Sequence, residues 1–178
     1  MTRDELKALV RTVPDFPAPG IQFRDITTLL ASGEGLAASV RALANIARDL
    51  ECDAVAGIEA RGFIFGTALA LELGVGFIPL RKAGKLPVET IGEDYALEYG
   101  TARLECDPQL VDKGAHVLLI DDLLATGGTA IAGAKLLRRA GAVVEHALFV
   151  IDLPELPGSA ALAEAGIATH ALLSFEGH

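Results

Sequence analysis

Two adjacent acidic residues and the glycine-rich turn after them are the part of this 178-residue sequence best suited to chemistry. Asp121 and Asp122 follow the apolar run 117–120, which is typical of a buried strand, and the turn 125–129 leads into a predicted helix. The first amides of a helix, its dipole and closely approaching glycines together favour a bound phosphate. The turn is not a Walker P-loop, because the lysine of that motif is missing. The predicted phosphate-binding residues are Ala125, Thr126, Gly127, Gly128 and Thr129.

The two carboxylates must serve another part of the ligand, because they would repel a phosphate. Adjacent acids can accept hydrogen bonds from the vicinal hydroxyls of a ribose, and they favour positive charge that develops on the sugar. Asp121 and Asp122 beside the glycine turn therefore predict a ribose 5-phosphate. The plain alternative, in which the acids only cap or solvate a strand end, does not account for the turn that follows them.

The elements that must position these residues alternate between strands and helices along the chain. Buried strands are predicted at 54–58, 76–80, 116–121 and 143–151, and helices at 35–50, 62–74 and 128–140. Thr2 and Glu5 form the pattern of a capping box for a further helix near the start. This order predicts an α/β fold with a central, mostly parallel sheet flanked by helices, in which ligands bind at the carboxyl ends of the strands.

Length and composition predict a single domain, since 51% of the residues are hydrophobic and one well-buried core is expected. Within it we expect an N-terminal segment over residues 1–34 and a flexible, polar hood over about residues 85–105. No apolar run approaches the ~20 residues of a membrane span, so we expect a cytoplasmic protein with no membrane partner. The net charge of −9 argues against nucleic acid as a partner.

The apolar run, the acidic pair and the glycine turn resemble the signature of the phosphoribosyltransferase family, which uses 5-phosphoribosyl 1-pyrophosphate (PRPP). Three more stretches resemble its adenine-specific members, over nearly the whole chain: PDFPAPGIQFRDI at 14–26, GIEARGFIFG at 57–66 and YALEYG at 95–100. The resemblance implies the type I phosphoribosyltransferase fold, usually as a homodimer. It also implies a purine salvage reaction in which adenine and PRPP give AMP and pyrophosphate, with Mg²⁺ as cofactor.

The resemblance assigns the pyrophosphate to the turn formed by Glu59, Ala60 and Arg61, and it implies a non-proline cis peptide between Glu59 and Ala60. Relatives commonly carry a serine where this chain has Ala60, so the backbone would have to supply that donor. The cations expected along the pyrophosphate path, some of them near a subunit interface, are Arg81, Lys82 and Lys85. Mg²⁺ would be held mainly by substrate and water, so no metal site built from protein ligands alone is expected.

For the base, the resemblance implies readout by the backbone around Gln22, Phe23 and Arg24, with the ring held between Phe23 and Leu153. Glu98, in the hood, matches the acidic residue that is proposed to hydrogen-bond or protonate N7 of the purine. Tyr99 would help to close the hood and keep water from the reactive sugar. The implied catalytic residues are Glu98, Arg61, Asp121 and Asp122.

Two alternatives stay open at this point. A transferase for an oxopurine such as guanine, xanthine or hypoxanthine typically carries a lysine after the third apolar strand, whereas residues 148–152 read Leu-Phe-Val-Ile-Asp. A PRPP-sensing regulator would keep the sugar-phosphate site and bind DNA through a basic helix-turn-helix or a basic face. The acidic balance and the short N-terminal segment favour the enzyme.

Overall fold

A computed structural model describes residues 1–96 and 100–177. Its strands are β1 (Arg11–Pro14), β2 (Gln22–Asp25), β3 (Ala54–Ile58), β4 (Gly76–Lys82), β5 (Ile91–Ala96), β6 (Thr101–Cys106), β7 (Val117–Leu124), β8 (His146–Asp152) and β9 (Ala168–Ser174). Its helices are α1 (Arg3–Ala8), α2 (Thr27–Ala31), α3 (Gly33–Ala47), α4 (Arg61–Leu73), α5 (Gly128–Ala140) and α6 (Gly158–Glu164), with a short 3-10 turn at Pro108–Leu110.

The central sheet has the strand order β5-β6-β4-β3-β7-β8-β9. The pairs from β4 through β3, β7 and β8 to β9 are parallel, whereas β6 runs antiparallel to both β4 and β5. The hood hairpin therefore continues the main sheet, with Arg81 opposite Glu105 in the register. The strands β1 and β2 form a separate antiparallel pair. Over the described residues, no helix has both the length and the apolar character to cross a membrane.

The core lies on both faces of the sheet, and β7 shows why its sequence is apolar throughout. Successive side chains of a strand point to opposite faces. Leu118 and Ile120 accordingly pack with one cluster, together with Phe65 of α4, while Leu119 packs with the other, together with Leu136 of α5. A central parallel strand covered by helices on both sides is expected to have this composition.

The predicted α/β architecture is confirmed, and the capping box is present: Thr2 Oγ1 accepts from Glu5 N, and a Glu5 carboxylate oxygen accepts from Thr2 N. The predicted end of the acidic strand was wrong, because β7 continues to Leu124 and the two acids lie within the strand. The strand predicted from residue 143 begins instead at His146. The hairpin β1–β2 and the elements α6 and β9 were not predicted, since these short segments have weak periodicity and are fixed by contacts with distant residues.

Candidate active site

The carboxyl ends of three neighbouring parallel strands bring most of the predicted residues to one edge of the sheet. Glu59 directly follows β3, the acidic pair lies in the second half of β7, and Leu153 directly follows β8. The parallel register places Gly57 opposite Ile120 and Asp121 opposite Phe149, so these ends lie side by side. Ligands bind at this kind of edge in open α/β sheets.

The glycine turn encloses a small cavity at the start of α5, with a volume of about 340 Å³ including space open to solvent. Gly127, at the N-cap, has φ 84°, a conformation that favours glycine. No side chain in the described part of the chain caps this helix, so its first amides remain available to an anion. The cavity is lined by Asp121, Leu123, Leu124, Ala125, Thr126, Gly127, Gly128, Thr129, Ala130 and Phe149.

Gly158 supports the turn from behind, and sequence reasoning missed it. Its amide donates to Ala125 O at 3.0 Å, and a Cβ at this position would lie 2.4 Å from the same oxygen. Real Cβ atoms do not approach backbone that closely, so only glycine lets α6 lie against the turn. A proline followed by a glycine, Pro157-Gly158, signals a turn in the sequence, but nothing local indicates its contact 33 residues earlier, at Ala125.

The acidic pair is withdrawn from solvent. Asp122 is 2% exposed, and Asp121 is partly buried with its Oδ1 accepting from the amide of Asp122 at 2.9 Å. Burial raises the pKa of Asp121 well above its ordinary value, and the charge of Asp122 raises it further. Burial also raises the pKa of Asp122, against the opposing effect of the Arg61 guanidinium. The pair therefore favours a partner that brings positive charge or hydroxyl donors.

Arg61 stands at the N-terminus of α4, directly after the turn of Glu59 and Ala60. The predicted cis peptide between Glu59 and Ala60 is present. Arg61 Nε lies 3.0 Å from Asp122 Oδ2, which is an ion-pair distance, although this oxygen receives no properly directed hydrogen bond from the described residues. The guanidinium also lies 5.9 Å from the centre of the Phe23 ring. Arg61 thus touches both the ribose-binding candidate and the base-binding candidate.

The basic residues at the end of β4 and just after it are only partly available for pyrophosphate. The guanidinium of Arg81 contacts both carboxylate oxygens of Glu59, at 3.2 and 3.3 Å, and this hydrogen bonding lowers the pKa of Glu59. Glu59 also accepts from the amide of Lys82 at 2.8 Å. Arg81 and Glu59 therefore hold each other at the sheet edge, while the side chains of Lys82 and Lys85 are exposed.

A second, more apolar cleft adjoins the cavity at the start of α5 and has a volume of about 740 Å³ including space open to solvent. The two cavities share Leu123, Ala125 and Thr126. Phe23 packs edge to face against Phe16, with ring centres 5.2 Å apart, and the Leu153 amide donates to Leu124 O at 3.1 Å. The cleft is lined by Ile21, Gln22, Phe23, Arg24, Arg61, Leu123, Ala125, Thr126, Leu153 and Leu156. The four residues predicted to bind the base therefore line one cleft.

Glu98 and Tyr99 lie outside the described residues. The described part of the hood is attached to α5, because Arg139 donates to Gly92 O at 2.7 Å and contacts the Glu93 carboxylate at 3.0 Å. A Cβ built on Gly128 would lie 3.6 Å from Ala96 O, so the end of β5 approaches the glycine turn. The hood strand β5 thus reaches the site at the residue before the undescribed segment.

The fit of a divalent cation can be judged from the donors at this edge. Within residues 1–96 and 100–177, no three His, Cys, Asp or Glu side chains form a group able to hold a metal. Asp122 Oδ2 is nevertheless a buried carboxylate oxygen without a hydrogen-bond donor among the described residues. A hard cation that keeps most of its ligands from substrate and water is compatible with such a site.

Comparison with known proteins identifies the family of this chain. The family model of the phosphoribosyl transferase domain matches residues 25–157. An adenine phosphoribosyltransferase from Erythrobacter litoralis is 66% identical over 178 residues, covering all of both chains. The crystal structure of adenine phosphoribosyltransferase from Thermoanaerobacter pseudethanolicus has a TM-score of 0.93 at 44% identity, covering 98% of this chain and 100% of that one. The yeast (Saccharomyces cerevisiae) enzyme, crystallised with adenine and an imino-altritol bisphosphate, has a TM-score of 0.89 at 35% identity. The match covers 96% of this chain and 98% of the yeast chain.

The chain therefore belongs to the phosphoribosyltransferase family, and relatives that match its whole length, such as the one from Erythrobacter litoralis, are adenine phosphoribosyltransferases. The family match begins only at Asp25, so it contains the acidic pair and the phosphate turn but not Gln22, Phe23 and Arg24. The assignment to the adenine-specific branch consequently depends on the full-length relatives. The predictions of the family, of the type I fold and of a transferase are confirmed.

Proposed function

We propose that this protein converts adenine and PRPP to AMP and pyrophosphate, using the residues that meet at the edge of β3, β7 and β8. The observation that carries the proposal is the junction of two cavities across Leu123, Ala125 and Thr126. One cavity offers amides at a helix N-terminus, and the other offers an apolar gap beside Phe23 and Leu153. A 5-phosphoribosyl group and a planar base bound in these cavities would meet at the shared residues.

The sugar phosphate is assigned to the turn 125–129 and the acidic pair. The 5-phosphate would accept hydrogen bonds from the free amides at the start of α5, whose dipole favours an anion. Asp121 and Asp122 would accept hydrogen bonds from the ribose hydroxyls. In the transition state the same carboxylates would stabilise the positive charge that develops on the sugar ring.

The pyrophosphate is assigned to the turn 59–61 and to the basic residues of the next segment. Arg61 is the nearest described cation to the acidic pair, at 3.0 Å from Asp122, and a guanidinium is well suited to phosphate oxygens. Lys82 and Lys85 are exposed and could neutralise the departing group. Mg²⁺, when bound beside Asp121 and Asp122, would supply positive charge to the pyrophosphate oxygens.

The reaction needs no nucleophile from the protein. The bond from the anomeric carbon to the pyrophosphate oxygen breaks, the bond from that carbon to N9 of adenine forms, and the proton of N9 passes to solvent water while pyrophosphate leaves as an anion. The protein contributes orientation of the two reactants and electrostatic stabilisation. The adenine ring is assigned to the gap between Phe23 and Leu153, and its edge to the backbone of Gln22, Phe23 and Arg24. The roles of Glu98 at N7 and of Tyr99 in closing the hood stay predictions from the sequence.

A homodimer is also proposed. It is supported by two exposed apolar residues on α4, Ile64 at 41% and Leu71 at 84% exposure. Their spacing of seven residues places them on the same face of the helix. Sedimentation equilibrium of the purified protein would test the dimer, and a mass near the 18.5 kDa of one chain would contradict it. The cytoplasmic location stays a prediction from the sequence.

The decisive experiment is incubation with PRPP and Mg²⁺ and, in separate reactions, adenine, guanine, hypoxanthine or xanthine. Nucleotide formation is followed by chromatography. AMP from adenine alone supports the proposal. Product from an oxopurine would retain the sugar-phosphate assignment and overturn the base assignment. No product from any base would overturn the enzyme and favour the PRPP-binding regulator, which a DNA-binding assay would then test.

A further inference from the structure

A short segment after the last strand connects the two walls of the base cleft. This segment, Phe175 to Gly177, is called the strap. Its first amide, on Phe175, donates to Asp152 O at 3.1 Å, directly beside Leu153. Its last two carbonyl oxygens, on Glu176 and Gly177, each accept from Arg24 Nη2 at 2.7 Å, directly beside Phe23.

Arg24 is held on the strap from several directions. Its guanidinium lies 4.9 Å from the centre of the Phe175 ring, and its Nη1 donates to Thr12 Oγ1 at 2.7 Å. The residue is only 8% exposed, and Phe175 is exposed to the same small extent. A charged side chain is seldom buried this deeply without strong partners. The contacts with the strap, together with the hydrogen bond to Thr12, therefore fix the position of Arg24.

The same contacts fix the base cleft, because Phe23 and Arg24 are consecutive residues of β2. Adjacent side chains of a strand point to opposite sides, so an anchor on Arg24 sets the position of the Phe23 ring. The hydrogen bond from Phe175 of the strap to Asp152 O likewise helps to set the position of the neighbouring Leu153. The gap between Phe23 and Leu153 thus depends on one segment that contacts both sides.

We propose that Arg24 is a positioning residue, and that its guanidinium, bound to the strap, sets the width of the gap that receives adenine. The proposal rests on the proposed function, since it concerns the base site of the adenine reaction. The sugar-phosphate site lies on β7 and α5, which Arg24 does not contact through any of its described hydrogen bonds. Loosening the contacts of Arg24 should therefore weaken the binding of adenine and leave the binding of PRPP nearly unchanged.

The test uses two conservative variants and a matched control. Arg24→Lys keeps the charge but cannot reproduce the planar contact with two carbonyls and a ring. Phe175→Leu keeps an apolar strap but removes the ring. The control is Arg138→Lys: Arg138 also donates to backbone carbonyls, at Ala165 and Val144, but it does so at the opposite end of the sheet.

We expect Arg24→Lys and Phe175→Leu each to raise the KM for adenine on the order of 10-fold, because small misplacements of binding groups are costly. The KM for PRPP should stay within about twofold, and the melting temperature should fall no further than in Arg138→Lys. In the double variant, the rise in the KM for adenine should be smaller than the two single effects combined, because both changes remove the same contact between Arg24 and the Phe175 ring.

Three results would overturn the proposal. The KM values for adenine and PRPP could rise together, Arg138→Lys could raise the KM for adenine equally, or both variants could leave that KM unchanged. The wild-type protein separates this proposal from the proposed function. Failure of the wild type to make AMP from adenine would overturn both, whereas normal wild-type turnover with any of the three results would overturn the positioning role alone.

Discussion

Arg61 Nε lies 3.0 Å from Asp122 Oδ2, so the cation assigned to pyrophosphate and a carboxylate assigned to ribose form a pair in the structure. The carboxylate is almost fully buried, with 3% of its side chain exposed, whereas 45% of the arginine side chain is exposed. The arginine is therefore the partner that can move. When PRPP binds, we expect the guanidinium to turn toward the pyrophosphate and the carboxylate toward the ribose hydroxyls.

Replacing Arg61 tests that rearrangement. Arg61→Ala should lower kcat/KM by about 10²-fold, as expected when a preorganised group that stabilises charge is lost. Arg61→Lys should recover only part of this loss, because an ammonium cannot bind two phosphate oxygens as a planar guanidinium does. Steady-state kinetics at varied PRPP concentration would measure kcat/KM for both variants. Arg48→Ala, which breaks a surface pair with Glu72, is the control and should leave the kinetics unchanged. Full activity of Arg61→Lys would contradict the proposed phosphate contact.

Asp121→Asn should lose activity and gain stability. Burial raises the pKa of Asp121 above 3.8, so the folded protein holds this proton more tightly than the unfolded chain. Stability is therefore lost as the pH rises from 3.8 toward the raised pKa, and asparagine has no proton to lose. We expect a higher melting temperature than wild type at neutral pH, a gap that narrows toward about pH 4, and activity lower by about 10²-fold. Calorimetry across this range would measure the gap, and a melting temperature below wild type throughout would contradict the expectation.

Gly158→Ala should damage the phosphate turn without a change in the acidic pair. The added Cβ would lie 2.4 Å from Ala125 O, so the turn or α6 must shift. We expect the KM for PRPP to rise on the order of 10²-fold, since a displacement near 1 Å can have that effect. Gly76→Ala is the matched control, because a Cβ there meets nothing within 4 Å. An unchanged KM for PRPP in Gly158→Ala would show that the turn does not depend on this contact.

Asp25 should contribute stability that disappears in acid. Its pKa is lowered from 3.8 to about 2, first by the hydroxyl and amide of Thr27 and then by the paired Arg11. A lowered pKa stabilises the fold above 3.8, and this contribution is lost as the pH falls toward 2. Asp25→Asn should therefore melt below wild type at neutral pH, with the difference closing in acid. Denaturation followed by circular dichroism at several pH values would measure it. If the difference in melting temperature between Asp25→Asn and wild type stays constant with pH, the lost stability comes from packing and not from the charge of Asp25.

The sequence by itself determined the parts whose causes are local. The apolar run of β7, the two acids that follow this run and the glycine turn before α5 are close together in the sequence. Strand, turn and helix therefore follow from neighbouring residues, and the covalent order brings their groups together. The capping box of α1 joins Thr2 to Glu5 within one helical turn, and it was predicted for the same reason.

Only the tertiary structure decided the contacts between distant segments. Arg61 and Asp122 come from different strand–helix units, and Gly158 meets Ala125 although α5 and β8 lie between them in the chain. Arg24 donates to Glu176, which is 152 residues away. These contacts leave no periodicity in the sequence, because each depends on how whole elements pack and not on the spacing of residues along the chain. The sequence could therefore identify the sugar-phosphate chemistry, whereas the positions of Arg61, Gly158 and Arg24 became defined when the sheet brought its strand ends together.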